Sequence, residues 1–367
     1  MRIERRRFLW GLAAVGGTLM TGCEVMQTRT QATLGRRSDG GPVIDIHAHW
    51  FPPEWVQLLE KEGPANGMTI GQNERGQMTF AVPGMTRIFL PTYVDLGIRL
   101  KAMDQTGVDV HALSMTNPMV YWAPPAFGLK LSQVYNDALV KAYQQYPRRF
   151  VGLAMLPMQA SDLAVKELDR LAKLPGIHGV YMATHINGTN LDEQRFFPVY
   201  AKCEELEWPV FLHPINPVGV ERMRRYYLRN FLGNPYDTGI AAASLIFGGV
   251  MDIFPRLDVV LPHAGGTLPA LIGRMDHGMT VRPEVKHMKR PGTAYLRRFH
   301  YDTVGHSSQF MKYLLGLVGA DRLVLGSDHP TDMGYVQPVD WLDKFVELPE
   351  RERNLILGGN AARLLRL

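Results

Sequence analysis

Residues able to do chemistry stand at the ends of apolar runs in this 367-residue chain. The first run, Val43-Ile44-Asp45-Ile46, leads directly into His47-Ala48-His49. Alternate residues of a strand share a face, so the two imidazoles point together and can converge on one cation. Neutral imidazole nitrogen binds zinc at about 2.0–2.1 Å. Three later runs end in the same way. Val210-Phe211-Leu212 leads to His213, Val259-Val260-Leu261-Pro262 to His263, and Leu323-Val324-Leu325-Gly326-Ser327 to Asp328. His47, His49, His213 and Asp328 together make an N₃O donor set for one divalent ion, with zinc the first expectation and manganese or iron the alternatives. Outside that set, His263 is placed to take a proton from water acidified by the cation. A two-metal site would normally need a bridging carboxylate, often a modified lysine on a middle strand. The fourth run, His178–His185, contains no lysine, so one metal is expected.

Anion binding has its own candidates. Arg87, in Met85-Thr86-Arg87-Ile88-Phe89, and Arg274, in Gly273-Arg274-Met275-Asp276-His277-Gly278, each offer a fork that grips a carboxylate through two N–H groups. His185, at the end of the fourth run, and His329, beside Asp328, are candidates to line a substrate pocket.

These residues can meet only if the chain brings several strand ends to one place. Eight candidate strands are expected: Val43–His47, Val108–Met115, Val151–Leu156, His178–Ala183, Val210–His213, Val259–His263, His300–Val304 and Leu323–Gly326. Between them lie stretches with helical apolar spacing, among them Val94–Thr106, Leu131–Tyr146, Asp162–Leu174, Ile240–Phe254, Leu268–Met279 and Gln309–Val318. Eight strands alternating with helices imply right-handed parallel crossovers and a closed (β/α)₈ TIM barrel, whose strand C-termini share one mouth. An open doubly wound sheet is the alternative, although no glycine-rich dinucleotide turn follows the first strand. Residues 51–93 break the alternation and are expected to form an insertion over the mouth, in the position of a lid.

The composition is that of an ordinary globular protein, 46% hydrophobic and 20% charged. Residues 1–22 look like a separate address. Arg5-Arg6-Arg7-Phe8-Leu9 and a short Gly/Ala-rich apolar stretch resemble a twin-arginine export signal, and Met20-Thr21-Gly22-Cys23 resembles a lipobox, with Cys23 as the lipidation site. Residues 23–41 read as a flexible tether and 42–367 as the barrel domain. The expected location is therefore periplasmic or outer-surface, with membrane contact only through a lipid on Cys23. Four arginines against Glu4 in residues 1–22 supply three of the five formal charges. With no basic, aromatic-interleaved cluster further on, nucleic acid is not an expected partner. Loss of Cys23 to a lipid leaves Cys203 as the sole thiol, so no internal disulfide can form.

The strand-end motifs resemble the amidohydrolase-related family that includes the 2-amino-3-carboxymuconate-6-semialdehyde decarboxylases. The similarity extends to Arg99–Val108, Tyr146–Leu153, Leu156–Ala160 and Gly273–Gly278, and covers nearly everything from Val43 to Gly359-Asn360-Ala361. The resemblance implies one zinc on the residues matching His47, His49, His213 and Asp328, with that matching His263 acting on metal-held water. It further implies contact of Arg87 with a substrate carboxylate, and of Arg274 across a homodimer interface. Ile215, His329 and Thr331 depart from the family pattern at positions that shape the pocket. The expected activity is thus non-oxidative decarboxylation of a small unsaturated or aromatic carboxylic acid, with ester, lactone or amide hydrolysis as the alternative. A lipid-anchored binding protein that keeps the barrel for ligand capture is a third possibility, which the full metal-and-base set argues against.

Overall fold

A computed structural model describes residues 41–345 and 347–367. The segment expected to be an export signal, Cys23, and all of the expected tether except Gly41 lie outside the described residues.

Eight strands form one parallel sheet in chain order: β1 (Ile44–His49), β2 (Val110–Ser114), β3 (Phe150–Met155), β4 (Ile177–Ala183), β5 (Val210–His213), β6 (Val259–Leu261), β7 (Phe299–Asp302) and β8 (Leu323–Val324). Every residue of β1, β2, β3, β5, β6, β7 and β8 is buried. Continuous burial is what a parallel sheet covered by helices requires, and it explains why these runs are apolar rather than alternating. The sheet closes beyond β8, where the Ile46 N–H donates to the Leu325 carbonyl at 3.0 Å and the His49 N–H to the His329 carbonyl at 2.7 Å. The architecture is a TIM barrel.

The surrounding helices pack one apolar face inward. The helix Ser161–Leu171 buries Ala164, Leu168 and Leu171 at helical spacing, with Asp162 in its first turn and Arg170 in its last to match the dipole. Two helices begin earlier than apolar periodicity predicts, at Pro125 instead of Leu131 and at Asn234 instead of Ile240. Proline in the first helical turn is the reason, since it lacks only an N–H that would have no partner there anyway. The sixth strand stops at Leu261, two residues short of expectation, because Pro262 cannot donate to the ladder.

The insertion after β1 comprises a helix, Pro53–Glu62, and a three-stranded antiparallel sheet of Thr69–Gln72, Met78–Val82 and Met85–Arg87. An aromatic cluster of its own holds it together. Phe89 lies 4.7 Å from Phe51 and 4.8 Å from Phe80 between ring centroids, and Trp55 is fully buried beside them. Each such pair contributes about 0.5–1.5 kcal/mol beyond its buried area. The insertion is a packed wall of the mouth. Among the described residues, no helix is long and apolar enough to cross a membrane.

Candidate metal centre

His47 and His49 close β1, and His213 closes β5 on the far side of the mouth. Asp328 arrives from the segment after β8 with φ of 60°, a left-handed conformation uncommon for a residue with a Cβ. One ligand atom from each of the four lies within 4.8 Å of the others, and all four residues are buried. The Asp328 Oδ1 atom is 3.0 Å from His49 Nε2 and 3.5 Å from His47 Nε2. These separations bracket the roughly 3.4 Å edge of a tetrahedron with metal–ligand bonds near 2.1 Å.

Two observations show that the residues fit a cation. The His47 Nε2 atom is buried with no hydrogen-bond partner among the described residues, a costly arrangement unless a ligand completes it. On the other side of that ring, Nδ1 donates to Asp302 Oδ2 at 2.7 Å, which leaves the Nε2 lone pair facing the centre. The His49 Nδ1 atom similarly sits 3.2 Å from Ser114 Oγ.

Electrostatics divide the imidazoles. Burial pushes His49 down to about 4, and it holds His213 well below its ordinary range with help from its imidazole neighbours. Burial alone would also lower His47, but the carboxylates of Asp328 and Asp302 outweigh it and raise the group above 6.5. Burial would raise Asp328, yet His47 and His49 pull it far below the carboxylate range. In the metal-free cluster the site of highest proton affinity is therefore His47, beside weaker imidazole bases.

His263 stands outside the ligand set. Its Nε2 is 4.0 Å from Asp328 Oδ2, and its ring centroid is 5.4 Å from that of His47. Residues 263–266 all have positive φ, and the Ala264 N–H donates to Asp302 Oδ1 at 2.8 Å. Asp302 thus holds a ligand with one oxygen and the His263 loop with the other. Burial, and then the His47 charge, lower His263, so it is a neutral imidazole at neutral pH.

A cavity of about 720 Å³ opens over the cluster, lined by His213, His263, Asp328 and Arg87. The Arg87 guanidinium lies 4.3 Å from the Tyr93 ring centroid and 5.3 Å from that of Phe51. Its Nε and Nη2 atoms are buried without a hydrogen-bond partner among the described residues. Those two nitrogens form the edge that a carboxylate can meet with both oxygens.

Three candidates are not brought into this cavity. Arg274 is exposed on the helix Leu268–Val281 and does not line the cavity of its own chain. His185 has both ring nitrogens engaged, Nε2 at 2.8 Å from the Ile215 carbonyl and Nδ1 accepting from the Gly188 N–H at 3.0 Å, so it ties loops together. His329 lines a separate cavity of about 250 Å³ with Asp45, His111 and Ser327. The backbone turns sharply at Asp328, where φ is 60°, and His329 lines the other cavity instead of the mouth. Burial pushes His329 down to about 3.

Two supporting groups escaped the sequence reading. Asp302 closes β7 as the ligands close their strands, and a titratable residue at that register was the available signal. Arg99 is completely buried and pushed down to about 10 by burial. It reaches inward from the helix Leu96–Thr106 to the His49 carbonyl and to His111 Nδ1, the latter at 3.1 Å. His111 Nε2 in turn lies 3.4 Å from Asp45 Oδ2, and Asp45 accepts the His47 N–H at 2.9 Å.

A family model described as Amidohydrolase matches residues 44–367. A relative from Dictyostelium discoideum, 2-amino-3-carboxymuconate-6-semialdehyde decarboxylase, is 34% identical over 328 residues, covering 88% of this chain and 91% of the relative. The crystal structure of 5-carboxyvanillate decarboxylase from Sphingomonas paucimobilis superimposes with a TM-score of 0.78 at 26% identity, covering 89% of this chain and 100% of that one. A dihydroxybenzoic acid decarboxylase from Polaromonas, solved with manganese and the inhibitor 2-nitroresorcinol, gives 0.73 at 25% identity, with 89% and 97% covered.

Proposed function

Since the chain belongs to the amidohydrolase family, we propose that it is a metal-dependent, non-oxidative decarboxylase of a small unsaturated or aromatic carboxylic acid. The observation that carries this reading is the Arg87 fork, buried and without partners on Nε and Nη2, in the same cavity as the four-residue metal cluster. The names of the relatives and structural neighbours point the same way.

His47, His49, His213 and Asp328 hold the cation, zinc by donor preference, with manganese in a structural neighbour as precedent for the alternative. When bound, it supplies Lewis acidity and orients anionic oxygens. Arg87 grips a substrate anion side-on, which fixes the ring or alkene plane over the centre. As the C–C bond to the carboxylate breaks, its electron pair remains on the carbon and CO₂ leaves. That carbon then needs a proton, which His263, neutral at rest beside Asp328, takes from water and passes on. Arg274 faces solvent in its own chain, so it meets substrate only from a second copy, in a homodimer.

The test is product analysis with metal-loaded protein and a panel of hydroxybenzoates, unsaturated acids and esters in ¹⁸O-water. Release of CO₂ with solvent hydrogen appearing on the carbon supports decarboxylation. A new carboxylate carrying ¹⁸O, with no CO₂, replaces it with the hydrolytic reading. His263→Ala keeps stoichiometric metal and loses about 10²–10⁴ of kcat; loss of the metal would instead make His263 a ligand.

A further inference from the structure

The space above the metal cluster has two arms. Beside the main cavity lies a smaller one of about 290 Å³, and both are lined by Asn230, Asn234, His263 and Asp328. Their other walls differ in chemistry. The main arm carries Arg87, Arg224 and Arg229. Away from the shared residues, the smaller arm is lined by Phe231, Pro235, Val304, Phe310 and Met333, with two glycines and His306.

We propose that this smaller arm is a substrate subsite for an apolar substituent, so that the preferred acid is amphipathic. It carries an anionic group for Arg87 at one end and an alkyl or aryl group at the other. This inference rests on the decarboxylase reading of the same site. An acid held by the Arg87 fork and the cation has its reacting carbon beside His263 and Asp328, where the two arms join. Any substituent directed away from the arginines enters the smaller arm. Its volume is many times the roughly 30 Å³ share of one water. Apart from the shared polar residues and His306, its aromatic, proline and methionine walls offer little to hydrogen-bond water, so filling that part with hydrocarbon is favourable.

The experiment measures calorimetric Kd, and KM and kcat where turnover occurs, for metal-loaded full chain. The probes are hydroxybenzoates bearing hydrogen, methyl, ethyl or n-propyl at ring positions 4, 5 and 6. At the position facing the arm, Kd tightens about three- to fourfold per added carbon. Phe310→Trp and Met333→Phe each narrow the arm and flatten that series relative to the unsubstituted acid. Arg87→Met weakens every member by a common factor and leaves the chain-length dependence intact. Binding of the unsubstituted acid with no gain at any position, or a gain that both narrowing variants leave untouched, overturns the subsite. Failure of every acid to bind overturns the decarboxylase reading, and the subsite falls with it.

Discussion

Replacing Asp302 by Asn should weaken metal binding without removing a ligand. The Oδ1 atom accepts from the backbone N–H groups of Ala264 at 2.8 Å and Val304 at 3.0 Å, while Oδ2 accepts from His47 Nδ1 at 2.7 Å. Two donors on one side force the asparagine carbonyl oxygen into the Oδ1 position. Its NH₂ then faces His47 Nδ1 and can be satisfied only if that nitrogen carries no proton. The proton moves to Nε2, the atom that must ligate. Binding metal therefore requires breaking the new hydrogen bond or setting two N–H groups against each other. A hydrogen bond to a charged group contributes about 1.5–3 kcal/mol, and lost outer-shell partners typically cost about 10–100-fold in metal affinity. Both routes give a ten- to hundredfold rise in Kd for zinc or manganese. Competition against a chromogenic chelator at fixed pH measures it, with circular dichroism to establish that the barrel is intact. A folded variant that binds metal within about threefold of the parent would refute the argument that Asp302 sets the His47 tautomer.

Arg87→Ala should raise KM by about 10²-fold or more with a smaller change in kcat, and Arg87→Lys should restore only part, since a lysine cannot present two N–H groups side by side; equal loss for Ala and Lys variants is the expected result of a purely structural role. The metal-free His47 imidazole is raised above 6.5 by Asp328 and Asp302 despite burial, so a cation must displace its proton. Metal affinity should fall as pH drops through that raised value, approaching one decade per pH unit below it, and loading below that value should release about one proton into weakly buffered solution. The sign for folding is opposite. In the metal-free protein, the His47 contribution to stability is fully present below 6.5 and is lost as pH rises through the folded value. Gly266→Ala should lower Tm by several degrees and abolish turnover, because a Cβ there would drive into the Pro235 carbonyl and the backbone has a positive φ; an unchanged melting curve would show that the His263 loop tolerates displacement.

Much of the site was legible because a barrel converts strand ends into neighbours. His47, His49, His213 and Asp328 each follow an apolar run, and a shared mouth was enough to bring them together. The eight strands were equally plain from their burial in parallel pairing. The partner of His47 was harder to see. Asp302 looks in sequence like any polar residue leaving a strand, and its contact is made 255 positions away. His329 adjoins a ligand in sequence, but the left-handed turn at Asp328, which no residue pattern announces, places it in a separate cavity. His185 was chosen because it ends a strand, and position does not reveal that the Ile215 carbonyl and Gly188 N–H already claim its ring; Arg274 was expected at a dimer interface and is exposed on its own chain. Helix starts at Pro125 and Asn234 were hidden for a different reason, since proline serves both as breaker and as first-turn residue.

Arg99 belongs by position to the outer ring of helices, where barrels ordinarily accept sequence drift. Its guanidinium nevertheless ends at the His49 carbonyl, inside the ligand strand itself. Shifting the register of Leu96–Thr106 by one residue would withdraw that cation, free the carbonyl, and leave His111 and Asp45 to settle their charges alone. An engineer wishing to graft or redesign this scaffold should therefore treat one peripheral helix as part of the metal's own support.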